Sequence, residues 1–206
     1  MRVLVACEYS GVVRDAFIAK GHDAISCDLL PTDKPGPHHQ GDCINAIKDG
    51  KLVGGWDIII MHPPCTALAV SGNRWYGSGM PKHDERAEAI EWTLGLWELA
   101  KSHARIGVAM ENPVGVLPMK PTQYIQPWQF GHGETKKTGL WLHNLPPLEP
   151  TNIVEGREQR IWKLPPTADR WKIRSTTFHG IGEAMAAQWG NASAGIREAV
   201  RLAEEE

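Results

Sequence analysis

The opening of the chain holds a strand, a helix and a second strand in quick succession, and that unit constrains the fold more than any other feature. Residues 2–6 read as a short buried strand, aliphatic and β-branched after Arg2, and residues 12–20 are amphipathic. Gly21 ends the helix, and residues 23–27 return to a strand pattern that stops at Asp28. Two strands joined through a helix lie parallel, with a right-handed crossover.

The same alternation continues along the chain. Residues 31–39 read as a proline-rich loop and residues 44–47 begin a short helix. After Gly54-Gly55, residues 56–61 (Trp-Asp-Ile-Ile-Ile-Met) form the clearest strand. His62-Pro63-Pro64-Cys65 cuts it off, because a proline pair cannot continue a central strand. Residues 66–80, rich in glycine around Asn73-Arg74-Trp75-Tyr76, read as a mobile loop. Helical period returns over 84–103, with Ala87, Ile90, Leu94 and Trp97 on one face and Glu85, Arg86, Glu88 and Glu91 on the other. A strand over 105–110 ends at Glu111-Asn112-Pro113, and 138–142 is a later strand. Residues 145–166 are irregular and 181–189 helical. No repeat recurs. The pattern predicts one α/β domain over residues 1–206, with a mostly parallel sheet covered by helices on both faces.

Composition excludes several function classes. An apolar share of 42% excludes disorder, and a net charge of −2 excludes a nucleic-acid binder that works by bulk positive charge. No apolar run is long enough for a membrane span, and the N-terminus lacks a signal-peptide pattern, so neither insertion nor export is expected. Cys7, Cys27, Cys43, Cys65 and the His38-His39 pair match no metal-ligand or disulfide spacing, so no metal is expected and a reducing cytoplasm suits the chain. The balanced charge conceals a split. Acidic residues crowd 84–98 and the terminal Glu204, Glu205 and Glu206, whereas Arg157, Arg160, Lys163, Arg170, Lys172 and Arg174 outnumber Glu158 and Asp169. Of nine tryptophans, Trp56, Trp92, Trp97 and Trp189 are expected to pack the core. Trp75, Trp162 and Trp171 are expected to face a substrate, and Trp128 and Trp141 carry no assignment.

In such a sheet, ligands bind beyond the carboxyl ends of the strands. Cys7 to Gly11 offers free backbone N–H groups at a helix start, suited to a carboxylate or phosphate, although neither G-x-G-x-x-G nor a Walker lysine is present. Asp28 is placed to accept the two hydroxyls of a ribose and Asp42 an adenine amino group. Taken alone, each reads rather as a turn or a helix cap, the commoner use of aspartate. The informative pair is Cys65 and Glu111, which follow two strong strands and so meet at one sheet edge. Carbon 5 of cytosine is a poor nucleophile until a thiolate adds to carbon 6 while an acid protonates or hydrogen-bonds ring nitrogen 3. A thiol beside a carboxyl group suits that chemistry.

These residues resemble the motifs of the C5-cytosine DNA methyltransferases, and most closely those of their short, phage-type members. Pro63-Pro64-Cys65 is similar to the family's Pro-Pro-Cys nucleophile motif, and Glu111-Asn112-Pro113 to its Glu-Asn-Val motif. Gly180-Ile181-Gly182-Glu183-Ala184-Met185 is similar to the last motif, a helix start that completes the S-adenosylmethionine pocket. The resemblance runs from Val3 to Trp189 in the expected order. It implies the class I S-adenosylmethionine-dependent methyltransferase (Rossmann-like) fold, DNA as partner, and a phage- or prophage-encoded enzyme of the bacterial cytoplasm. It casts Cys65 as nucleophile, Glu111 as the acid at ring nitrogen 3 and Asn112 as its support. Tyr9, Ser10, Gly11 and Val12 would hold the methionine end of the donor, Asp28 and Asp42 its ribose and adenine, and Pro63 and Glu183 the rest of its pocket. Arg74 and Trp75 belong to the loop expected to close over an extruded base.

Three departures accompany the resemblance. Cys7-Glu8-Tyr9-Ser10-Gly11 replaces Phe-x-Gly-x-Gly. Lys136 or Lys137 stands where a Gln-x-Arg-x-Arg motif would supply a cation near the base, and lysine lacks arginine's fork. Residues 146–175 form a much reduced target-recognition insertion, whose Arg157, Arg160 and Arg174 with Trp162 and Trp171 suit phosphates and bases, or else a solvated loop anchored by its tryptophans. The competing readings are the same chemistry on RNA or a free cytosine nucleotide, and a DNA-binding protein of this fold without catalysis.

Overall fold

The computed structural model describes residues 1–50 and 54–191, so the terminal glutamates lie outside the described residues. The strands are β1 (Arg2–Ala6), β2 (Asp23–Asp28), β3 (His38–Gln40), β4 (Trp56–Met61), β5 (Ala104–Pro113), β6 (Gln123–Ile125) and β7 (Thr138–His143). The helices are α1 (Val12–Ala19), α2 (Cys43–Asp49), α3 (Asn73–Tyr76), α4 (His83–His103), α5 (Arg160–Lys163), α6 (Arg170–Ser175) and α7 (His179–Trp189). Among the described residues, seven strands form one sheet in the order β3-β2-β1-β4-β5-β7-β6. Neighbours are parallel except that β7 runs antiparallel to both β5 and β6.

The continuous apolar runs of β1 and β4 follow from cover on both faces. Val3, Val5, Ile58 and Ile60 point to one side and join Val13 and Phe17 of α1 and Met185 and Trp189 of α7. Leu4, Ala6, Ile59 and Met61 point to the other and join Ile47 of α2 and Leu96, Trp97 and Ala100 of α4. Each such aliphatic side chain, fully withdrawn from water, contributes roughly 1.5–3 kcal/mol.

Several local expectations are corrected. The 31–39 loop contains β3, a short edge strand whose His38 Nδ1 lies 2.9 Å from Ser26 Oγ. The strand expected over 105–110 runs on to Pro113, because β7 pairs with Glu111, Asn112 and Pro113 beyond the point where β4 stops. Edge strand β6, only three residues long, had no pattern to announce it.

Residues 70–76 form a 3-10 turn followed by α3. The cause is Arg86, whose guanidinium donates to Ala67 O (2.7 Å), Asn73 Oδ1 (2.8 Å) and Ala69 O (3.3 Å). Arg86 is therefore buried, and α4 turns Arg86, Thr93, Leu96, Trp97 and Ala100 inward. Ala87 is exposed and Ile90 and Leu94 half-buried, so only Trp97 of the expected face reaches the core. Trp92 also stays exposed, whereas Trp56, Trp97 and Trp189 are buried as expected. Trp141 is buried too and donates Nε1–H to Met119 O.

Candidate active site

Register places three strand ends in one row. Ala6 pairs with Met61 and Met61 with Met110, so Cys7, His62 and Glu111 are the next residues across β1, β4 and β5. The His62 N–H continues the ladder to Ala6 O at 3.0 Å. Its ring Nδ1 meets Glu111 Oε2 at 2.8 Å, with about a tenth of either side chain exposed (10% and 11%). The Asn112 amide donates to Pro63 O at 2.9 Å. Pro63 ends the strand, and Cys65 O then accepts from Leu68 N and Ala69 N, which curls the chain so that Cys65 sits half-buried beside the row.

The charges in this cluster are interdependent. Burial pulls the His62 imidazolium down, but the Glu111 hydrogen bond and charge, with that of Glu8, outweigh burial and the Lys136 charge and leave His62 raised. Burial pushes Glu111 up, yet the His62 hydrogen bond and the charges of Lys136 and His62 hold it below the usual carboxylate range. His62 and Glu111 thus each favour the charged form of the other. Burial raises the Cys65 thiol and Glu111 raises it further, while Lys136 and Arg174 pull it down without cancelling the rise. His62 Nε2 and Asn112 Oδ1 are buried with no hydrogen-bond partner among the described residues.

At the end of β1 the chain differs from expectation. The start of α1 does not offer its N–H groups freely, since Glu8 Oε1 accepts from Val13 N (2.7 Å) and Oε2 from Arg14 N (3.2 Å). Ser10 Oγ also donates to Glu8 Oε1. Gly11 adopts φ +71, and a side chain there would run into the buried Arg14 guanidinium. Val12 is buried. The Tyr9 hydroxyl lies 2.9 Å from Ser175 Oγ and 3.0 Å from Lys172 O, so Tyr9 anchors α6.

Asp28, half-buried at the end of β2, accepts from Leu30 N through Oδ1, leaving Oδ2 uncommitted. Asp42 caps α2 through Ile44 N, and exposed Leu29 lies beside Asp28 in the chain. Cys7, Cys27 and Cys43 gather nearby, with the Cys7 and Cys43 sulfurs 3.7 Å apart.

No protein-family model matches this sequence, and no curated protein matches it. Among solved structures, an Entamoeba histolytica methyltransferase, EhMeth, aligns with a TM-score of 0.50 and 12% identity over 77% of this chain and 57% of its own. A SAM-dependent methyltransferase from Neisseria gonorrhoeae aligns at 0.41 and 14% over 68% and 60%, and S. pombe Dnmt2 at 0.47 and 14% over 79% and 54%. The chain spans a little over half the length of these structures. The strand order with a single reversed strand and the Entamoeba alignment decide the architecture. The fold is that of the class I methyltransferases.

Within the methyltransferase fold, the remaining expected residues divide. The charges of Lys136 and Arg174 lower the Cys65 thiol, and that of Lys136 lowers Glu111 as well. The ammonium of Lys137 instead lies 4.2 Å from the centre of the Tyr124 ring. Arg157 stacks on Trp128 at 3.9 Å, and Arg160 is bound by Glu134 (2.6 Å) and Glu158 (3.1 Å). Glu183 is exposed in a groove between α1 and α7, with Asp15, Lys20 and His179, rather than at the row. Arg74 packs over Trp75 on exposed α3, and Trp162 and Trp171 are exposed on α5 and α6. Sequence reasoning missed Glu8 as the cap of α1 and His62 as the partner of Glu111. The second was recoverable only with the β4–β5 register.

Proposed function

We propose that this protein transfers a methyl group from S-adenosylmethionine to carbon 5 of cytosine in DNA, with Cys65 as the nucleophile. The observation that carries the reading is the meeting of a thiol, a carboxyl group and a cation, Cys65, Glu111 and Lys136, at the carboxyl edge of this fold. The residues toward the donor suit its adenosine half. Asp28 Oδ2 remains open to a ribose diol, Asp42 stands at the start of α2 as an acceptor, and Leu29, 73% exposed, offers an apolar surface. The methionine end differs from expectation, because Glu8 has already taken the Val13 and Arg14 donors.

When bound, S-adenosylmethionine supplies an electrophilic methyl carbon. Cys65, as thiolate, adds to carbon 6 of the ring, and Glu111 hydrogen-bonds or protonates ring nitrogen 3, which makes carbon 5 an enamine nucleophile. Lys136 and Arg174 favour the thiolate, and Asn112 holds the turn that carries Cys65. Once carbon 5 has gained the methyl group, loss of its proton to water re-forms the ring double bond and expels the Cys65 thiolate. Residues 146–175, with Arg174 and exposed Trp162 and Trp171, act as a reduced recognition segment, so sequence preference is short.

Duplex DNA containing 5-fluorocytosine tests the proposal, since proton loss from carbon 5 is then blocked. With S-adenosylmethionine a covalent adduct is expected from the wild type and none from Cys65→Ser. An adduct on RNA or on fluorinated dCMP, but not on DNA, would move the acceptor. No adduct on any of them would overturn the reading.

A further inference from the structure

The chemistry proposed for Glu111 needs a proton that Glu111 does not hold. A carboxylate paired with an imidazolium is ionised, whereas ring nitrogen 3 must receive a proton, or a strong hydrogen bond from a protonated acid, as the thiolate adds. We infer that His62 is a positioning residue that stores this proton and passes it through Glu111 to the base. The inference rests on the reading of the site as a cytosine C5 methyltransferase, and deepens it.

Geometry carries the argument. His62 Nδ1 and Glu111 Oε2 are 2.8 Å apart, within the range of a charge-assisted hydrogen bond, and both side chains are nearly withdrawn from water. The contact is built by the sheet, since Met61 and Met110 pair across β4 and β5 and bring the next residue of each strand together. The backbone N–H of His62 is fixed on Ala6 O, which holds the residue at this point of the sheet. Its other nitrogen, Nε2, is buried with no hydrogen-bond partner among the described residues, so Glu111 is the side chain through which the ring exchanges its proton.

The protons balance. At rest the pair carries one proton on imidazolium Nδ1. As the Cys65 sulfur bonds to carbon 6, that proton moves to Glu111 Oε2 and a carboxyl proton moves to ring nitrogen 3, leaving neutral His62 and ionised Glu111. When the thiolate leaves and the ring is restored, nitrogen 3 returns its proton to Glu111 and the imidazolium re-forms. The groups facing the pair are Glu8 beyond β1, which favours the imidazolium, and Lys136 ahead of β7, which opposes it; Cys65 and Arg174 complete the surroundings.

The test uses His62→Asn, whose side-chain amide can donate to Glu111 as Nδ1 does but cannot titrate, with Glu111→Gln as the partner variant. In histidine-ring 15N titrations of the whole protein, His62 is expected to stay protonated to higher pH in the wild type than in Glu111→Gln. Equal titration would overturn the pairing. In adduct formation with 5-fluorocytosine DNA, His62→Asn is expected to react about tenfold or more slowly near neutral pH. It should recover as pH falls, because Glu111 must then take its proton from solvent. A wild-type rate and pH profile in a folded His62→Asn would overturn the inference alone. Absence of adduct from the wild type would overturn the reaction and the use of the proton with it, while the titration still reports whether the pair exists.

Discussion

The Asn112 side chain donates to the Pro63 carbonyl across 2.9 Å, from a position only 2% exposed. That bond staples the strand bearing Glu111 to the turn bearing Cys65. The two chains stay together beyond it, with Ala69 bridged to Gly115 and Val116 N donating to Leu68 O. The thiol and the carboxyl group are therefore set relative to each other by one continuous strip of backbone.

Removing the staple leaves a buried carbonyl without its donor. Asn112→Ala is expected to destabilise the fold by about 1–3 kcal/mol, the cost of an unsatisfied buried polar group. Urea unfolding followed by tryptophan fluorescence measures this. A variant as stable as the wild type would mean that Pro63 O finds another partner and that the bond does not set the turn.

The His62–Glu111 pair fixes the direction of two pH effects on stability. His62 is raised on folding, so its contribution is complete below the unfolded value of about 6.5 and is lost as pH rises through the folded one. Glu111 is lowered on folding, so its contribution is complete above about 4.3 and is lost as pH falls through its folded value. Both hold together between about pH 4.3 and 6.5. Melting temperatures taken across pH should decline on the alkaline side of that window, and Glu111→Gln should flatten the decline. An unchanged alkaline slope in Glu111→Gln would contradict the pair.

Much of this was legible in sequence because local chemistry fixed it. The proline pair after 56–61 had to end β4, and the apolar runs 3–6 of β1 and 58–61 of β4 had to be covered on both faces, so the row of strand ends was predictable in outline. What sequence hid depended on register and distant contacts. His62 meets Glu111 only because Met61 pairs with Met110. Lys136 and Lys137 are indistinguishable as neighbours, yet one acts on Cys65 and the other stacks on Tyr124. The α4 face was misread because Arg86 is drawn inward by three acceptors in residues 67–73, a demand that hydrophobic period does not register.

Glu8 was another residue without a local signal, since it caps α1 from four residues ahead of the first helical position. Its carboxylate receives Val13 N and Arg14 N, both buried donors at the positive end of the helix dipole. Glu8→Ala is expected to cost about 2 kcal/mol by losing the cap. Glu8→Gln should cost less, because its amide oxygen still accepts one N–H. Denaturation curves rank the two, and equal stability of Glu8→Ala and wild type would show that water serves the helix start as well.

The thiol offers the sharpest electrostatic test, because its neighbours act with opposite signs. Burial and the Glu111 charge raise Cys65, while Lys136 and Arg174 lower it. Removing a cation by Lys136→Met should therefore move the pH midpoint of Cys65 alkylation upward, and removing an anion by Glu111→Gln should move it downward. Iodoacetamide labelling across pH, read peptide by peptide in a mass spectrometer, distinguishes the cysteines. Cys27, which burial above all pushes to about 12, serves as the slow internal reference. Shifts of the same sign in both variants would mean that the substitutions act through exposure of the 63–69 turn and not through charge. Opposite shifts would establish Lys136 as the cation that makes the nucleophile available.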